Sequence, residues 1–233
     1  MKKLASLILV ALMTTFVLDA SAQNAGIKFG SVWSNANLNY DDGSEMPDQK
    51  VLISPQIGII FETPLYEGLF LQTGIMASVN GYRYDATRVV DVEGGDQAEV
   101  SSIERPLLLY LSLPVNFGYK YNTSDKFGIF AMVGPVFRYL TYSTHTFKVN
   151  GEWDNESTDI EVDGEEKSLF KNFDLALNVE AGVQYDRFKF SLYYSPSFSN
   201  IFNDEIFPDD YDASWKNFSF GVNVAILFGP IDE

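Results

Sequence analysis

The chain contains no cysteine. That excludes a disulfide framework, a thiol nucleophile and lipid attachment through a cysteine. Only one histidine, His145, occurs among 233 residues. Basic residues are scarce: 16 Lys and Arg stand against 32 Asp and Glu, for a net charge of −16. A nucleic-acid surface needs cations that displace counterions from phosphates, so that class of partner is excluded. No helical heptad and no 20–50-residue repeat stands out, and beyond the N-terminus no apolar run reaches the length of a membrane helix. What is abundant is aromatic: 15% Phe, Trp and Tyr, high for so acidic a chain.

The N-terminus has the layout of a secretory signal peptide. Lys2 and Lys3 precede a largely apolar stretch from Leu4 to Leu18, and Ala20-Ser21-Ala22 is a small-x-small cleavage site. Residues 1–22 are therefore expected to be removed, leaving 23–233 as one domain. The alternative, a membrane-anchor helix, has too short an apolar run.

The remainder alternates. In 172-NFDLALNVEAGVQYDRFKFSLYYSPS-197 every odd position from Phe173 to Tyr185 is apolar, and Asp174, Asn178, Glu180 and Gln184 lie among the even ones. After Asp186-Arg187 the pattern resumes with Phe188, Phe190, Leu192 and Tyr194. A two-residue loop sets Tyr185 opposite Phe188, so the apolar faces of both strands coincide. Six further segments alternate with period two: about 26–33, 52–62, 69–82, 107–121, 127–142 and 216–228. The 127–142 segment is apolar on both faces, and Pro135 within it predicts a bulge or a local break in the ladder. The eight strands are joined alternately by short connections (63–68, 122–126, 186–187) and long ones (about 34–51, 84–106, 143–171, 199–215). The long connections hold 23 of the 32 acidic residues.

The polar face discriminates between solvents. A soluble sandwich, or a periplasmic barrel holding a small apolar ligand, would turn the oily face inward and load the other with Lys, Glu, Arg and Thr. Here the second face is Gly, Ser, Asn, Gln and Ala, which suits a crowded lumen. A sheet that spans lipid must close, with strands of about 9–11 residues. The expectation is an all-β, eight-stranded antiparallel up-and-down transmembrane barrel, with short periplasmic turns, long extracellular loops and outer-membrane lipid as its surroundings. Trp33, Tyr66, Tyr82, Tyr119, Tyr121, Tyr139, Tyr185, Phe188 and Trp215 are its candidate aromatic belts. The segments GIKFGSVWSN, LYLSLPVNFGYKY (109–121), FGIFAMVGPVFRYL (127–140) and FSFGVNVAILFG (218–229) resemble the PorT-like, porin-family outer-membrane barrels, related in architecture to small OmpA/OmpX-type barrels. The resemblance implies the same fold and compartment, and includes members tied to a secretion and gliding apparatus. Many such barrels end on an aromatic; here Gly229 to Glu233 follow Phe228.

Period-two parity places Lys28, Glu62, Lys120, Arg138, Asp174, Glu180 and Lys189 in the lumen. There they are expected to pair as a space-filling network, with a gated ion or proton path as the alternative. Lys28, Glu62, Lys120 and Lys189 fall toward the short-turn end, Glu180 slightly above, and Arg138 and Asp174 toward the long loops. His145, beside Ser143 and Thr144, is the one residue that could support a rim hydrolase, but no spacing joins a nucleophile, base and orienter. The acidic stretches 160–166, 204–205 and 208–212 lack calcium-loop spacing, so a divalent-cation role would be weak bridging to headgroups, and surface partners are the other candidates there. The expectation is a non-enzymatic monomer without a cofactor, with a structural or surface-interaction role. A narrow channel is the alternative.

Overall fold

The computed structural model describes residues 24–39, 49–91, 97–149, 152–162, 165–203 and 213–229; the signal-peptide segment 1–22 lies outside them. Period-two alternation emerges as strands β1 (Asn24–Asn39), β2 (Gln49–Tyr66), β3 (Leu69–Asp91), β4 (Gln97–Asn122), β5 (Phe127–Val149), β6 (Glu152–Ser157), β7 (Asp159–Val162), β8 (Glu165–Ser168), β9 (Phe173–Tyr185), β10 (Phe188–Pro196) and β11 (Ser214–Phe228). Eight of them close a ring in the order β1-β2-β3-β4-β5-β9-β10-β11, and β11 returns to β1. Every pairing in the ring is antiparallel. Closure leaves no open edge inside the ring, as a sheet in lipid requires.

The direction of the side chains decides the solvent. On β9 and β10, Asp174, Asn178, Glu180, Lys189 and Ser191 are buried, while Phe173, Val179, Tyr185, Phe190 and Leu192 point out. The same holds around the ring: Ile53, Ile57, Ile59, Ile75, Phe117 and Ile129 are exposed, and Gln72, Asn80, Asn116, Asn217 and Asn223 are buried. Leu192, on a regular strand, is 67% exposed. In water, apolar surface left uncovered forgoes about 25 cal/mol per Å²; in hydrocarbon that loss vanishes. The barrel is inside out relative to a soluble one, and this overturns the reading as a periplasmic barrel with an apolar ligand cavity.

Three sequence expectations change in detail. First, the stretches expected as loops between β3 and β4 and after β5 are largely strand. The β3–β4 ladder runs up to Asp91↔Gln97, and β6 adds to the upper part of β5 from Thr144↔Ser157 to Val149↔Glu152. Second, Pro135 keeps register with Leu177 on β9, and toward β4 register is the same on both sides of it (Pro114↔Val136, Phe117↔Val133). The register shift falls instead between Leu109 and Tyr110, where Thr141 is the extra residue and its Oγ1 donates to the Leu109 carbonyl at 3.0 Å. Third, the β2–β3 connection tightens to Glu67-Gly68, both with positive φ (43° and 85°), the pattern of a two-residue hairpin turn.

Two aromatics assigned to the belts face inward. Tyr82 and Trp215 are 7% and 3% exposed, because they share parity with the lumen residues Asn80 and Asn217. Trp33, by contrast, faces out and meets Phe220 edge-on at 5.3 Å. The three tryptophans of the chain therefore sit in three environments: Trp33 on the lipid face, Trp215 in the interior, and Trp153, 48% exposed, on the strand added above the ring. In single-tryptophan variants reconstituted in vesicles, brominated lipid is expected to quench Trp33 most. Acrylamide should quench Trp153 most, and Trp215 should resist both. Strong lipid quenching of Trp215 would contradict the inward register of β11.

Candidate functional site

The interior is organised in layers along the barrel axis. Near the short turns, Lys28 of β1 reaches across the lumen to Glu180 of β9, Nζ to Oε2 at 2.7 Å. Lys189 of β10 pairs with Glu62 of β2 in the same way. Gln72 links the two pairs: its Oε1 accepts from Lys28 at 3.4 Å, and its Nε2 donates to Glu62 at 3.2 Å. Glu180 accepts further from Ser191 at 2.6 Å and from Asn178 at 3.4 Å. Lys189 lies between the rings of Phe70 and Phe130, 4.6 and 4.1 Å from their centroids. Room for Phe70 comes from Gly118 opposite it, where a Cβ would fall 2.3 Å from the ring. Two cations and two anions thus close the lumen with no net charge. Each pair joins strands three places apart in the ring, so the layer braces the barrel across its width.

A second layer lies toward the loops. Arg138 of β5 stands beside Asp174 of β9, its ladder partner, at 3.3 Å. Its guanidinium also donates to Ser195 at 2.7 Å and Ser197 at 3.1 Å, and Ser197 in turn donates to Asp174 at 2.7 Å. Between the layers is a cavity of about 60 Å³ lined by Lys28, Asn80, Ser112, Arg138, Glu180 and others. Asn80 Oδ1 and Ser112 Oγ line it without a hydrogen-bond partner. Such a polar space is above the roughly 15 Å³ needed to hold a water.

The loop end is shut by carbon. Phe170, Ile201 and Phe202, from the segments before β9 and after β10, fold into the mouth and pack on Tyr82, Leu108, Tyr110, Leu140 and Trp215. Phe170 stacks on Phe202 at 6.2 Å, and Trp215 meets both edge-on at 4.9 and 5.5 Å. The plug is tied to the polar interior below. Trp215 Nε1 donates to Asn217 Oδ1 at 2.8 Å, and Asn217 Nδ2 to the Tyr110 hydroxyl at 3.2 Å. The sequence carries the signal for this plug only in part. Tyr82, Tyr110 and Trp215 follow from parity, whereas Phe170 and Phe202 sit outside any alternating segment.

Six of the seven residues placed in the lumen by parity meet as three ion pairs. Lys120 does not join them. It is half-buried at the short-turn mouth beside Asn24 and Asn122, and it forms no ion pair with a described residue. It points inward by parity, but two residues from the strand end its long stem reaches water. His145 stands on the upper part of β5, its Nε2 3.8 Å from Glu104 and its ring against Phe147. Ser143 instead shares a 2.5 Å hydrogen bond with Thr158. The side chains of 160–166, and all of 204–205 and 208–212, lie outside the described residues.

The family model described as "Outer membrane protein beta-barrel domain" matches residues 21–203. No curated protein sequence matches the chain. Solved structures with a similar fold include Neisserial surface protein A (9% identity, 88% of this chain and 97% of that one, TM-score 0.42). Another is OprG of Pseudomonas aeruginosa (14%, 90% and 98%, TM-score 0.38). A third is Ail, the attachment invasion locus protein of Yersinia pestis, in complex with the heparin analogue sucrose octasulfate (13%, 88% and 99%, TM-score 0.35).

Proposed function

The chain belongs to the outer membrane protein beta-barrel domain family, and we propose from that premise that it is a closed, non-catalytic barrel working through its loop-end surface. The observation that carries this reading is double occlusion. A neutral layer of crossed ion pairs blocks the lumen below, and an aromatic plug blocks it above. An eight-stranded barrel has an interior just wide enough for side chains to fill, and here side chains shut it at both ends of a small polar cavity. The lumen charges serve as braces rather than as an ion path. What remains for function is the part beyond the lipid: the upper β3–β4 ladder, β6 and the acidic connections. A PorT-like assignment, and export by way of residues 1–22, are the finer readings that the sequence favours.

The first test is electrophoresis of the outer-membrane fraction in detergent, with and without boiling. The protein is expected there, migrating at a different apparent size until heated, as closed barrels do. Recovery in the soluble periplasmic fraction with no shift would refute the barrel. The same preparation in a planar bilayer is expected to give no discrete conductance steps. Regular steps would revive the channel reading and require the plug to open.

A further inference from the structure

Above the apolar band, β2 to β6 continue side by side, and their outward face sorts charge. Lys50 pairs with Arg83 in the ladder. The partners Gly81↔Leu107 and Tyr84↔Glu104 set Arg83 across from Arg105. Arg105 then pairs with Thr146, and one step higher Lys148 pairs with Trp153. Four cations thus cross four adjacent strands spaced about 4.8 Å apart. Arg105 shares the face of Leu109 and Leu111, which look into lipid, and at about 3.3 Å per residue it lies roughly 13 Å farther along the tilted strand than Leu109.

Among the described side chains one carboxylate lies in the row. Asp85 is shared by Arg83 at 2.6 Å and Lys50 at 2.8 Å. The Arg83 guanidinium, aided by Lys50, holds that carboxyl below the usual carboxylate range, so Asp85 stays ionised and offsets one positive charge. Arg105 and Lys148 have no ion pair among the described residues. Both rest on Trp153, 4.5 and 5.4 Å from its ring centroid. Arg105 Nε is buried without a hydrogen-bond partner. On the opposite face Glu104, Phe147 and Asp154 share a row. In a chain of net charge −16, this strip is a local surface of the opposite sign beside the barrel.

We propose that this strip is a docking site for the phosphate-bearing headgroup of an anionic lipid in the leaflet on the loop side. Arg105 and Lys148 take the phosphate, and Trp153 holds the guanidinium flat. A planar guanidinium offers phosphate two parallel donors, and a ring beneath it removes the entropy of placing them. Trp at the headgroup level is common at membrane interfaces. The assignment rests on the membrane-barrel reading above.

The test uses full-length folded protein in detergent, titrated with diphosphoryl lipid A and followed by native mass spectrometry. Removing two cations near a lipid surface is expected to weaken binding roughly thirtyfold in an Arg105→Gln/Lys148→Gln variant. The heat-dependent gel shift should be retained. Lipid A stripped of its phosphates should bind no better to the wild type than to the variant. Unchanged affinity in a variant that keeps its gel shift would overturn the proposal, as would equal binding of the stripped lipid. Complete competition by millimolar inorganic phosphate would assign the strip to free phosphate instead and refute a lipid site. If the double variant loses its gel shift, Trp153→Ala is the second variant. Loss of the exposed ring is expected to cost about fivefold in affinity, and no loss would refute the site. A wild type without a gel shift would sink the barrel reading rather than this one.

Discussion

Replacing Lys189 by methionine is expected to destabilise the barrel by about 3–5 kcal/mol, the usual cost of breaking a buried ion pair from one side. Glu62 is 3% exposed, and without Lys189 its carboxylate keeps only the Gln72 amide at 3.2 Å. The methionine also leaves the gap between Phe70 and Phe130 without a cation. The converse substitution, Glu62→Leu, strands Lys189 between two aromatic faces. The double variant Lys189→Met/Glu62→Leu removes both charges, and a neutral apolar pair of similar volume is expected to recover most of the loss. Denaturant unfolding in lipid vesicles, followed by tryptophan fluorescence, measures the cycle. A double variant as unstable as the sum of the single ones would show that the two groups are not coupled, and the bracing role would fail.

Trp215→Ala should be comparably damaging, at about 3–5 kcal/mol, for a different reason. The indole touches Tyr82, Phe170 and Phe202, so its removal leaves a cavity in the plug. It also takes away the donor to Asn217. Trp215→Phe separates the two effects. It keeps most of the packing and loses the N–H, for an expected cost of about 1–3 kcal/mol. Hydrogen exchange at the Leu169 and Ile201 amides, which bond to Thr158 and Trp215 across the mouth, reports whether the plug has loosened. In Trp215→Ala these amides should exchange much faster, while those of β9 below them hold. No conductance should follow, because the crossed ion pairs remain. Protection unchanged in Trp215→Ala would mean that the lid does not depend on its central ring.

Period-two parity carried the fold. The alternation from Phe173 to Tyr194 named the lipid face, the lumen face and the register of the hairpin, and Tyr185↔Phe188 stands as expected. It also sorted Lys28, Glu62, Glu180 and Lys189 toward the short turns and Arg138 and Asp174 toward the loops, the two levels at which they meet, but not which charge meets which across the lumen. By residue type Tyr82 and Trp215 suit a belt, but their parity turns them inward. Aromatic side chains near a strand end suit either a headgroup layer or a plug, and parity separates the two. Phe170 and Phe202 were not legible. They come from irregular segments, where no period exists to say which way a side chain turns. The upper strands were hidden similarly. Acidic, polar sequence such as 152-EWDNES-157 reads as loop, and it becomes strand only by pairing with β5.

The seam between β1 and β11 sets a condition on assembly. In the ring, β1–β11 is the pairing between the two ends of the chain, from Ala25↔Phe228 to Asn39↔Ser214, while consecutive ring strands supply the rest. Hairpins such as β9–β10 join neighbours in sequence, but the two outermost edges can meet only after the 174 residues between Asn39 and Ser214 are in place. Until then two strand edges are unmatched, and lipid offers them no donors or acceptors. A partly inserted ring is therefore penalised along its whole height, and closure is all-or-none. It proceeds like the last tooth of a zip, whose engagement makes every earlier one permanent.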